Sequence, residues 1–95
     1  MRDYELVVIL NPQMDPQQVD AAVERIQRLV AQQGGEVTAR RDWGKRRLAY
    51  SINHLREGTY VIAQVKLDPA KTAEVREGLR LSEEVLRHMM VKVGD

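Results

Sequence analysis

Twice in this chain an extended apolar run gives way to an Asp-Pro pair, Asp15-Pro16 after residues 4–10 and Asp68-Pro69 after residues 59–67. An aspartate offers its carboxylate to the free N–H groups of a helix's first turn. A proline at the next position is pre-set to helical φ and lacks the N–H that would go unsatisfied there. Each pair therefore turns a strand into a helix at a defined point. Gln18, three residues after Asp15, completes a capping-box-like pattern, and Val19, Ala22, Val23, Ile26, Leu29 and Val30 recur at helical spacing until Gly34-Gly35 supplies the C-cap. After the second pair, Ala73, Val75 and Leu79 predict a shorter helix that contains Gly78.

The extended segments fill the rest. Asn11-Pro12 ends the first strand, and a second runs from Glu36 to Asn53, far longer than the usual ~5–6 residues. Its apolar positions are odd-numbered before Gly44 (Val37, Ala39, Trp43) and even-numbered after it (Leu48, Tyr50, Ile52). One extra residue would restore a single face, so residues 44–45 are read as a β-bulge, with a tight hairpin turn as the alternative. Residues 54–58 read as a polar loop, 59–67 as the third strand and 85–93 as the fourth. The order β-α-β-β-α-β describes an α+β, ferredoxin-like domain spanning 1–95, a four-stranded antiparallel sheet with both helices on one face.

That arrangement leaves one face of the sheet open. With Leu6, Val8, Val61, Ala63, Val65, Leu86 and Met90 directed at the helices, Val7, Ile9, Tyr60, Ile62, Met89 and Val91 point away from them. So apolar a face marks a protein partner, unless one strand's facing is misassigned and the patch is core.

Length and composition bound the function. A chain of 95 residues, 43 % hydrophobic and 31 % charged, is large enough for one core. The absence of cysteine excludes disulfides and thiolate chemistry and fits a reducing, cytoplasmic setting. The early apolar run, residues 6–10, is too short for a leader or membrane span, so the chain is expected to begin at Met1 and to meet no membrane. His54 and His88 are the only histidines and lie apart, with no acid or serine at ligand or triad spacing. His54 is expected in a solvated loop and His88 in a strand with its hydrogen bond satisfied. Glu83 with Glu84, and Asp15 with Asp20, are accounted for by capping and loop solvation. Gly34-Gly35 follows a helix instead of opening one and is no phosphate loop. No catalytic residue, metal site, cofactor or small-molecule substrate is expected.

The cations remain. Residues 37–67 carry five net positive charges, against −3 before and −1 after them, within a chain of net charge +1. Lys45, Arg46 and Arg47 adjoin Tyr50 on a strand and follow Arg40 and Arg41; they suit a polyanion, with an ordinary solvated cluster as the alternative. Arg2, Arg87 and Lys92 extend the footprint, although Arg87 and Lys92 have opposite parity. A net charge of +1 allows few phosphate contacts, so a nucleic-acid binder of this kind needs help. Base-stacking recognition is disfavoured, since the chain has no phenylalanine and strand three offers only Tyr60.

Gly-Lys-Arg-Arg-Leu-Ala-Tyr at 44–50 closely resembles the family of bacterial small-subunit ribosomal protein six. Met-Arg-Asp-Tyr-Glu at the start, Leu-Asn-Pro at 10–12, Gly58-Thr59-Tyr60, and Val85-Leu86-Arg87 through Val91-Lys92 match in order along essentially the whole chain. The resemblance implies a non-enzymatic constituent of the small subunit in the cytoplasm. It also implies contacts to 16S ribosomal RNA in the central domain, made jointly with ribosomal protein eighteen. By motif position Arg2, Arg46, Arg47, Tyr50, Arg87 and Lys92 carry the RNA and partner contacts. Two departures from the family are expected to matter: Ser51 where the family commonly has proline, which should restore an amide donor, and the acidic tail that many members carry, which is not expected here. The competing classes are a small-molecule regulatory domain pairing sheets in a homodimer, and a stand-alone RNA regulator.

Overall fold

The structure, a computed structural model, describes residues 1–52 and 54–94. The elements are β1 (Arg2–Leu10), α1 (Pro16–Gln32), β2 (Glu36–Ile52), β3 (Leu55–Leu67), a 3-10 turn (Pro69–Lys71), α2 (Thr72–Leu81) and β4 (Val85–Lys92). The strands form an antiparallel sheet in the order β2-β3-β1-β4. This is the ferredoxin-like α+β arrangement that the β-α-β-β-α-β order predicts.

Local chemistry sets the helix ends. The Asp15 carboxylate accepts from the Gln18 N–H at 2.8 Å while the Gln18 side chain accepts from the Asp15 N–H at 2.8 Å, a complete capping box. At the other end Gly34, at φ +78°, donates to Ala31 O and Gly35 donates to Val30 O, the paired bonds of a Schellman motif. The second Asp-Pro pair acts less directly. Asp68 caps the 3-10 turn by accepting from Ala70 N, and α2 starts at Thr72 without a side-chain cap.

The core lies between the helices and one face of the sheet. Leu6, Val8, Leu10, Val61, Val65 and Leu67 meet Val23, Val30, Val75 and Leu79, and full burial of side chains of this kind stabilises by roughly 1.5–3 kcal/mol each. Ala73, expected on this face of α2, is exposed. In β4 the register shifts opposite Ile9 and Leu10, so Val85 takes the position packed on the core that the alternation assigned to Leu86.

β2 is one 17-residue strand, not two strands joined by a turn. Its register against β3 shifts between Val37 and Ala39, between Asp42 and Gly44, and between Arg47 and Ile52. The middle shift is the predicted bulge, displaced one residue toward the N-terminus, with Gly44 at φ +78°. Residues 55–58, expected as loop, instead continue the ladder: Arg46 pairs with Gly58 and Arg47 with Glu57. The hairpin therefore turns between Ile52 and Leu55, with His54 exposed at φ +67°, and Asn53, the expected end of strand two, lies outside the described residues.

Candidate nucleic-acid and partner interface

The projecting end of the β2–β3 hairpin bends across the open face at its Ile9 end. A Cβ at Gly58 would fall 2.3 Å from Ile9 Cγ2 and 3.5 Å from Leu48 Cδ2, so only glycine lets these groups close over the sheet. Between Arg47 and Ile52 the strand has three more residues than its partner, and this arch carries Leu48 and Tyr50 inward. Tyr50 meets Arg87 of β4, whose guanidinium stands 5.7 Å from the ring centroid. A shallow groove of about 190 Å3 results, lined by residues including Ile9, Leu48, Tyr50, Tyr60, Arg87 and Met89.

The face is consequently less open than the alternation implied. Ile9 and Ile62, expected at a partner surface, are 5 % and 4 % exposed, and with Leu48 they are buried outside the helix-side core. Val7 and Tyr60 are half-buried, whereas Met89 and Val91 are exposed.

The cations divide by strand parity. Arg41 pairs with Ile62 and Arg46 with Gly58, on the open side. Both guanidiniums lie over the indole of Trp43, at 5.6 and 5.4 Å from its centroid, and Trp43 stacks on Tyr60 at 6.4 Å and 22°. The bulge makes this possible, because without an extra residue Trp43 and Arg46 would face opposite sides. Lys45 and Arg47 take the other side, Lys45 beside Asp42 and Asp20 at the start of α1. Arg40 is spent internally: it donates to both Asp42 oxygens at 2.7 and 2.8 Å and to Asp20 at 2.8 Å, bonds that raise its pKa above the ordinary guanidinium value. Lys45, Arg46, Arg47 and Arg87 are in no ion pair among the described residues.

Arg2 and Lys92 do not join this cluster. Arg2 pairs with Leu67 and Lys92 with Tyr4, so both stand on the helix side at the far end of β1, about 20 Å along the strand from Ile9. The cations expected in one footprint lie in two separate places, and the parity conflict between Arg87 and Lys92 resolves into opposite faces. Sequence reasoning passed over Trp43 and Arg41 as site residues; the parity flip at Gly44 was the signal that unites them with Arg46.

The acids hold structure together. Glu84 receives Arg25 Nε at 2.8 Å, tying α1 to the turn before β4, and Asp20 serves Arg40, so ion pairing accounts for them where loop solvation was expected. His88 pairs with Val8 on the helix side and makes no side-chain hydrogen bond to a described residue, contrary to expectation. Burial, helped by the charge of Arg76, holds its pKa below the ordinary 6.5. Among the described residues no group of three or more His, Asp or Glu could hold a metal ion.

The fold is a ferredoxin-like sheet that presents, on one side, half-exposed aromatic rings and guanidiniums in no ion pair among the described residues, the class of surface that suits binding and not chemistry. Comparison with known proteins gives the family. The ribosomal protein S6 family matches residues 3–92, and the chain belongs to it. It is 40 % identical over 95 residues to small ribosomal subunit protein bS6 of Desulforamulus reducens, covering 100 % of both chains. It is also 40 % identical over 92 residues to the bS6 of Carboxydothermus hydrogenoformans, covering 97 % of this chain and 96 % of that one. Its fold matches the crystal structure of 30S ribosomal protein S6 from Thermotoga maritima with a TM-score of 0.87 at 24 % identity, over 96 % of this chain and 86 % of that one. The chain is thus a structural, non-enzymatic constituent of the small ribosomal subunit, and works in the bacterial cytoplasm.

Proposed function

We propose that this chain binds 16S ribosomal RNA in the central domain jointly with ribosomal protein eighteen, and so supports subunit assembly. The observation that carries the reading is the set of cations that have no carboxylate partner among the described residues on and beside the β2–β3 hairpin, while Arg25, Arg40 and Arg80 are paired elsewhere. Lys45, Arg46 and Arg47 on the hairpin, with Arg87 and Tyr50 across the groove, meet the phosphate backbone. Arg2 and Lys92 form a second contact at the opposite end of the sheet. Met89 and Val91, exposed on edge strand β4 beside Val7, receive the partner protein. A net charge of +1 fits shared binding, because few phosphates can be neutralised by this chain alone.

The test is binding to a central-domain fragment of the small-subunit RNA across a salt series, with and without protein eighteen. Tight binding only with the partner, weakened by Arg46→Ala plus Arg47→Ala with a shallower salt slope, supports joint assembly. Equal binding without the partner makes this an independent RNA binder. No binding in either case rejects the RNA reading.

A further inference from the structure

We infer that Trp43, set between Arg41 and Arg46 and stacked on Tyr60, is a platform on which an unpaired nucleotide of the bound RNA stacks; this rests on the RNA-binding reading above. Large aromatics are ordinarily buried, yet Trp43 stays 46 % exposed despite three close neighbours. Arg41, Trp43 and Arg46 come from one stretch of β2, with Tyr60 on β3 beneath the indole, and the bulge at Gly44 is what turns them to a common side. A backbone feature that leaves an indole half in water and brings two guanidiniums over it gains little stability by itself, since an exposed cation–π contact contributes only ~0.5–1 kcal/mol.

The expectation against base stacking rests on strand three, which offers only Tyr60, whereas this indole lies on β2, and its chemistry selects the occupant. An indole offers a flat π surface to any base, and guanidiniums beside it supply both further stacking planes and donors for the flanking phosphates. Arg41 and Arg46 are in no ion pair among the described residues, so they are available to phosphate. A protein seated on the same spot would have to cover two unpaired guanidiniums, which is costly unless it brings carboxylates to each. The base must be unpaired, because paired A-form RNA keeps its base faces stacked inside the helix.

The chain has a single tryptophan, so indole fluorescence reports this site alone. With protein eighteen present, titration of the central-domain RNA fragment is expected to quench Trp43 emission. Trp43→Leu, which keeps bulk without a π face, is expected to weaken RNA binding about 5- to 150-fold. Its salt slope stays that of the parent, whereas Arg46→Ala lowers the slope. Trp43→Phe retains most of the affinity and guards against a folding defect in the leucine variant, which thermal melting also monitors. RNA binding with unchanged emission and an unweakened Trp43→Leu variant overturns the stacking platform and leaves the RNA reading standing. A change in emission produced by protein eighteen alone, with no further change on adding RNA, makes this a protein contact and also overturns it. Absence of RNA binding by the parent chain rejects both.

Discussion

Single residues decide how β2 presents its side chains. Gly44 has open space around its missing Cβ, so the cost of Gly44→Ala is conformational only: an L-residue at φ +78° loses roughly 1–2 kcal/mol. The expected result is an unfolding free energy in urea lowered by that amount at unchanged m-value, with altered Trp43 emission as the bulge relaxes. Gly58→Ala is a different kind of lesion, because its Cβ would overlap Ile9, and overpacking of this sort costs about 1–3 kcal/mol. His88 gives the pH dependence. Its folded-state pKa is lowered, so the native state favours neutral imidazole. The stability this contributes is complete above about pH 6.5, the unfolded value, and is lost as pH falls through the lowered folded value. Urea midpoints measured from neutral pH downward should therefore decline less steeply in His88→Gln than in the parent chain.

At the scale of elements, α1 is specified by its own sequence and β2 by its neighbours. The capping box and Schellman motif close α1 at both ends without tertiary help, and Asp15→Ala should cost about 1 kcal/mol by removing the bond to Gln18 N. β2 is an edge strand whose side chains are mostly exposed, so hydrophobic alternation is a weak guide to it. Its register shifts and clustered cations also suit an edge, since bulges and charge discourage pairing with another chain. Residues 55–58 read as loop in the sequence because Arg56, Glu57 and Gly58 carry local turn chemistry. Their pairing with Arg46 and Arg47, and the packing of Ile9 over Gly58, are long-range facts. Element identity elsewhere was legible, because periodicity and capping act over a few residues.

For the whole molecule, the open face of the sheet is partly closed from within, which changes how a partner surface is tested. Ile62→Asp would place a carboxylate at a buried position and is expected to unfold the chain, seen as loss of the cooperative thermal transition. Met89→Asp and Val91→Asp alter exposed positions and should leave stability within about 0.5 kcal/mol while reducing association with protein eighteen, measured by calorimetric titration. The sequence by itself determined the order of elements, the helix faces and the concentration of positive charge in residues 37–67, since each is written in neighbours a few positions apart. Tertiary structure alone decided which cations lie together. Strand register sent Arg2 and Lys92 to the far end of the helix side, paired Arg40 with Asp20, and gathered Arg41, Trp43, Arg46 and Tyr60 on one surface. The physical reason is that a shift of one residue in a strand reverses every side chain beyond it, and the shift is fixed by the partner strand as much as by the glycine that permits it.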